Sequence, residues 1–146
     1  MKKGFTLLEL LVTISIIGIL LAVGSVSFTT AQKRGRDSRR EADMKGIGQA
    51  LEQCYAVDSE YPAVSFGSSL DCGGGQTTME LVPEDPLPSQ SYTYTPDGAT
   101  ILSCCLCAEL ETVDSGNAYS DGSAGGGDCS FSGSGTKDYF CVSNQQ

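Results

Sequence analysis

Gly4-Phe5-Thr6-Leu7-Leu8-Glu9 opens a stretch that, once past Glu9, carries no charge until Lys33. The 23 residues from Leu10 to Gln32, at a helical rise of about 1.5 Å each, are long enough to cross a hydrocarbon layer roughly 30 Å thick. Glu9 is the misfit. An ionised side chain at membrane depth costs roughly 2.5–3.5 kcal/mol on insertion scales. The nearest bases, Lys2 and Lys3, lie on the far side of Gly4. A buried charge with no local counter-charge calls for one from elsewhere, so the stretch reads as a helix built to meet another molecule.

A secretory signal peptide is the plainer reading, with Met1-Lys2-Lys3 as its basic start and Thr29 and Ala31 as small residues before a cut ahead of Gln32. A generic single-pass anchor is the other. The apolar core from Leu10 to Val26 is long for a signal peptide, and Glu9 falls where such a peptide is uncharged.

Composition narrows the function classes. The chain has 146 residues, no histidine and no tryptophan, so the commonest general base is missing. Residues 1–48 hold eight bases and four acids, 8 − 4 = +4, while residues 49–146 hold one base and fourteen acids, 1 − 14 = −13. A head that acidic repels phosphate backbones, which argues against its binding nucleic acid. Seven cysteines suit an oxidising, extracytoplasmic compartment. No acid pair and no nucleophile with a partner base can be placed from the sequence, so no enzyme is expected.

Met1-Lys2-Lys3-Gly4-Phe5-Thr6-Leu7-Leu8-Glu9-Leu10-Leu11-Val12 resembles the leader and mature start of a type IV prepilin or pseudopilin. It shares the short basic leader, the glycine, the phenylalanine, the glutamate four residues later and the apolar helix. The resemblance implies that a membrane prepilin peptidase cuts between Gly4 and Phe5 and that the Phe5 amine is methylated. It also implies that Glu9 pairs with the Phe5 α-ammonium of a neighbouring protomer during assembly, an attraction strengthened by low dielectric. Gly18 and Ala22 add a small-xxx-small spacing that lets helices approach closely. Where many pilins carry a helix-breaking proline, this chain has Val26, with Gly24 as the nearest breaker.

The helix reads on through residues 33–58, with Met44, Ile47, Leu51 and Cys54 or Tyr55 recurring three to four apart as one apolar stripe. The bases Arg36 and Arg40 are read onto other faces. Gly46 and Gly48 weaken this part by about 1 kcal/mol each. The helix should stop near Asp58-Ser59, because Pro62 forces Tyr61 into an extended form. The basic collar of Lys33, Arg34, Arg36, Arg39 and Arg40 reads first as a solvated face that meets lipid head groups, second as a partner for the acidic heads of neighbouring protomers, and last as a DNA contact. By charge bias alone it would place that end in the cytoplasm; the prepilin resemblance requires the opposite.

The expected fold is α+β: a leader over 1–4, an apolar transmembrane or filament-core helix over 5–28, its amphipathic continuation over 29–60, and a small antiparallel sheet head over 61–146. Residues 63–90, rich in Gly, Ser and Pro, read as a long connection. Ser91–Thr95, Ala99–Leu110 and Tyr139–Val142 read as strands, with Pro96-Asp97-Gly98 as a turn. In the middle strand Leu102, Cys104, Leu106, Ala108 and Leu110 share one face, and Cys105 and Cys107 the other. Ala50-Leu51-Glu52-Gln53-Cys54-Tyr55, Glu60-Tyr61-Pro62 and Asp85-Pro86 with Tyr92-Thr93-Tyr94 also resemble the helix end and sheet start of pilins and major pseudopilins.

Cys104-Cys105-Leu106-Cys107 invites a metal reading, but no second thiol pair at zinc-like spacing and no histidine accompany it, so disulfides are expected. Seven cysteines leave one unpaired if three bridges form, and their connectivity stays open. The resemblance implies Cys129–Cys141, closing a C-terminal loop; Cys54–Cys72 would tie the helix end to the loop after it. Residues 114–128 form a Gly-rich stretch with Asp114, Asp121 and Asp128. It reads as a surface loop, with a calcium site as the sharper alternative, one that major pseudopilins resemble.

The function the resemblance implies is a structural subunit that polymerises with other pilin-like subunits. Its partners would be the prepilin peptidase, an inner-membrane assembly platform and, before assembly, membrane lipid. The head would lie outside the cytoplasmic membrane and finally in an extracellular or periplasmic filament. A secretion pseudopilus is the alternative within that class, and a secreted or anchored disulfide-bonded binding domain the alternative outside it.

Overall fold

The computed structural model describes residues 4–96, 104–119, 129 and 131–143. The chain divides into two compact units, Met1–Gly35 and Arg36–Gln146.

One helix, α1, runs from Leu7 to Asp58 without a break. Gly18 and Gly24 do not interrupt it, since a lone glycine costs a helix only about 1 kcal/mol and no proline stands in the way. It stops where the sequence says it should. Ser59 turns left-handed, at φ 58°, and its N–H donates to the Tyr55 carbonyl at 2.8 Å, satisfying one of the carbonyls left open at a helix end.

In the second unit, residues 36–58 of α1 lie against a head made of two antiparallel sheets. β1 (Leu70–Asp71) and β2 (Thr77–Met79) pair as a small hairpin. β3 (Thr93–Pro96), β4 (Cys104–Glu109) and β5 (Tyr139–Ser143) form a three-stranded sheet with β4 in the middle. Residues 63–90 are therefore more than a connection: Leu70, Cys72 and Val82 in that segment are buried with the helix stripe. Leu102 and the turn residues Asp97 and Gly98 lie outside the described residues.

The strand alternation holds. Cys104, Leu106 and Ala108 face Met44, Ile47, Leu51 and Cys54 in the main core, while Cys105 and Cys107 face away, into a second cluster with Ala118 and Cys141. A period of two leaves no other choice once β4 is buried on both faces. Gly48 has a packing reason: a Cβ there would stand 3.1 Å from Cγ1 of Val142 on β5. The outer edge of β5 is covered by Asn117, whose Nδ2 donates to the Cys141 carbonyl at 2.8 Å and whose Oδ1 accepts the Cys141 N–H at 2.7 Å. A side-chain amide thus stands in for a neighbouring strand at an edge that would otherwise be open to pairing.

Three disulfides close the head: Cys54–Cys72, Cys105–Cys129 and Cys107–Cys141. The expected Cys129–Cys141 bridge is corrected. Both cysteines are bonded, but each to β4. Cys141 lies directly opposite Cys107 in the β4–β5 register, and Cys105 lies two residues away on the same face, leaving Cys129 to it. Cys104, on the other face, is a buried free thiol.

Candidate assembly site

The start of α1 is built from a local exchange that the sequence reading missed. The Thr6 N–H and Oγ1 both donate to Glu9 Oε2 at 3.0 Å, and the Glu9 N–H donates to Thr6 Oγ1 at 3.2 Å. This is a capping box, Thr-x-x-Glu, in which two side chains satisfy each other's orphan backbone donors at a helix N-terminus. Thr6-Leu7-Leu8-Glu9 is its sequence signature. Glu9 therefore has a hydrogen-bonding partner within its own chain, and among the described residues no counter-charge.

Beyond the cap, the helix shows its apolar residues on every side. Phe5, Leu7, Ile14, Ile19, Leu21 and Phe28 are all exposed. The most apolar 18-residue window of α1 has mean hydropathy 2.5, with none of it buried among the described residues. A helix apolar all round needs an apolar environment. Its hydroxyls are no obstacle: Thr13 donates to the Leu10 carbonyl, Ser15 to Leu11 and Ser25 to Ala22, at 2.8 to 3.0 Å. By length and composition, this helix can cross a membrane.

The basic collar is corrected. Arg40 has no exposed surface at all. Its guanidinium reaches Asp85 through two bonds of 2.7 and 2.9 Å, Asp37 at 2.8 Å, Glu111 at 3.0 Å and Gln90 Oε1 at 2.6 Å. Arg36 adds a bidentate pair to Glu111, both bonds at 2.6 Å. Asp37 also accepts the backbone N–H groups of Glu111 and Thr112, and Asp85 accepts the Leu87 N–H. Arg40 is not on another face of the helix. Positions 40, 44, 47, 51 and 54 step by four and three, so it heads the very stripe that Met44 continues. That spacing was the available signal.

The electrostatics follow from the contacts. Arg36 and then Arg40, overcoming the effect of burial, hold the Glu111 carboxyl down to about 2. Burial works against Asp37, but the Glu111 and Thr112 donors and Arg40 together hold it below its usual value. Bonding to Asp85 above all raises Arg40 further, so it is charged at every accessible pH. Two of the collar's five charges are thus paired inside the chain's own head.

The remaining sequence candidates fall in different places. Gly4 and Phe5 precede the capping box and are exposed. Asp114 is turned back on the head, its Oδ1 accepting the Lys137 N–H at 3.2 Å; Asp121 and Asp128 lie outside the described residues. Cys104, deep in the core, is pushed up to about 12, first by burial and then by the charge of Glu52.

Residues 1–25 match the family model of the prokaryotic N-terminal methylation motif. The chain is similar to the type IV narrow pilus major component of Thermus thermophilus, 28% identical over 116 residues, covering 78% of this chain and 88% of that one. It is similar to the type IV major pilin protein of Myxococcus xanthus, 32% identical over 60 residues, or 41% of this chain and 27% of that one. It is also similar to the type IV major fimbrial protein of Dichelobacter nodosus, 32% identical over 82 residues, 56% of this chain and 47% of that one. The matches thus span under half the length of the Myxococcus and Dichelobacter relatives. No solved structure matches.

Proposed function

We propose that this chain, whose N-terminus matches the prokaryotic methylation motif and which is similar to type IV pilins, is the structural subunit of a pilus-like filament. One observation carries the reading: the segment matched by the methylation motif is the start of the helix long and apolar enough to cross a membrane. Before assembly residues 5–28 lie in the cytoplasmic membrane, with the head outside. Prepilin peptidase cuts between Gly4 and Phe5, the new amine is methylated, and an assembly platform draws subunits into a filament whose core is made of these helices. Polymerisation is the activity; no reaction is catalysed.

Glu9 sets the axial register. Cleavage leaves Thr6 in place, so the capping box survives in the mature chain. The α-ammonium of Phe5 on a neighbouring copy then supplies the counter-charge that Thr6 does not, and a misplaced subunit leaves a carboxylate unpaired in low dielectric. Gly4→Leu should block processing.

Mass spectrometry of the N-terminus of the protein recovered from cells tests the reading. A methylated Phe5 start supports it. A Gln32 start would make it a secreted domain, and an intact Met1 an anchored one. Electron microscopy with and without the gene separates a surface filament from a secretion pseudopilus, the alternative assembly.

A further inference from the structure

Four of the seven cysteines converge on one point of the head, on the face of β4 turned away from the helix. Cys107 and Cys141 are cross-strand neighbours, Cys105 lies on the same face of β4, and Cys129 arrives from the chain ahead of β5. Their four Sγ atoms all lie within 4.8 Å of one another. The two disulfides are so close that Cys105 Sγ and Cys107 Sγ, which belong to different bridges, are 3.3 Å apart. Cys105, Cys107 and Cys141 are buried and Cys129 half-buried, packed with Ala118 and Tyr139.

We infer that this cluster, in its four-thiol form, is a binding site for one soft, tetrahedral divalent cation such as Zn²⁺, and that metal and disulfides exclude each other there. A tetrahedral site with metal–sulfur bonds of about 2.3 Å places its sulfurs about 3.8 Å apart. Sulfurs already within 4.8 Å of one another bracket that spacing, so each bridge need only open; no strand has to change register. The donors are four thiolates with no carboxylate among them, which selects zinc-like over calcium-like ions. The sequence lacked a second thiol pair at zinc-like spacing; the β4–β5 register supplies it, through Cys141 opposite Cys107 and Cys129 beside Cys105.

The chemistry balances. The four-thiol form is the one in which the chain is synthesised, so filling the site needs no reductant at that stage. Loading one Zn²⁺ deprotonates up to four thiols and releases those protons. Forming the two bridges from the free thiols removes four electrons and four protons, and from the zinc-loaded thiolates four electrons alone with release of the ion; a thiol-oxidising agent takes up the electrons in either case. In the oxidised head, a phosphine or dithiol reductant returns four electrons, with four protons from water, and restores the site. Cys54, Cys72 and Cys104 take no part, because they lie in the main core on the other face of β4.

The test uses the full chain in detergent, reduced with a phosphine under nitrogen and titrated with Co²⁺ alone, then Zn²⁺. The expected result is one Co²⁺ per chain with the intense visible absorption of a tetrahedral thiolate complex, bleached by one equivalent of Zn²⁺. The air-oxidised chain should take up none. Cys107→Ser and Cys129→Ser should each abolish the tetrahedral spectrum, whereas Cys104→Ser and the Cys54→Ser/Cys72→Ser double variant should keep it. The two cluster variants guard against a single misfolded one. A weak six-coordinate spectrum in the reduced chain, or equal loss of the signal in the Cys54/Cys72 control, would overturn the assignment.

Discussion

Glu9 has two separable tasks: its carboxylate closes the capping box with Thr6, and its charge is proposed to meet a neighbour's Phe5. Glutamine keeps the first and loses the second, because either amide or carboxylate can occupy that position of the box. Glu9→Gln should therefore be processed and fold like the parent chain yet assemble as poorly as Glu9→Ala. Counting filaments by electron microscopy checks this; normal number and length with glutamine would remove the register argument. Arg40 is the other decisive residue. Replacing it by alanine leaves Asp37, Asp85 and Glu111 short of their shared counter-ion and should destabilise the head by about 3–5 kcal/mol. Arg40→Lys should restore only part of that, since an ammonium cannot reproduce the two-pronged bond to Asp85. Urea melts of the three proteins read the difference.

At the scale of elements, the part of α1 that packs on the head carries two glycines, Gly46 and Gly48, that the sequence alone treats alike. The structure separates them. Nothing lies within 4 Å of a Cβ built at Gly46, whereas at Gly48 it would press on Val142 of β5. Gly46→Ala should stabilise the head by about 0.5–1 kcal/mol, and Gly48→Ala should gain less or lose, as thermal melting will show. The end of the same helix is tied by Cys54–Cys72, a bridge spanning 18 residues. Replacing both with serine should cost roughly 2–4 kcal/mol, read by the same melts.

For the whole molecule, the charge segregation that looked like an intermolecular device is in part an intramolecular one: basic helix and acidic head meet at Arg36, Arg40, Asp37, Asp85 and Glu111. Glu111 and Asp37 both titrate lower in the folded head than in a free chain. Groups so depressed contribute stability that is fully present above their unfolded values and lost as pH falls through the folded ones. For Glu111 that window runs from its ordinary 4.5 down to about 2. The melting temperature should thus fall steeply on acidification below about 4.5, and Glu111→Gln should be less stable at neutral pH but show a flatter acid limb. An acid limb unchanged by that substitution would place the loss of stability elsewhere.

The sequence by itself determined the long helix, its stop at Asp58, the sheet class and the two faces of β4. Each rests on local rules: an unbroken apolar run, a proline three residues after the Asp58-Ser59 pair, a period of two. The resemblance carried by Gly4, Phe5 and Glu9 was legible for the same reason, being contiguous in the chain. Some things were legible and passed over, the Thr6–Glu9 box and the place of Arg40 on the stripe among them. Only the tertiary structure decided which cysteines pair and where the collar's charges go. Cys107 meets Cys141, and Arg40 meets Asp85 and Glu111, across 34, 45 and 71 residues of chain respectively. Distances like these are set by strand register and helix docking, which no local pattern encodes.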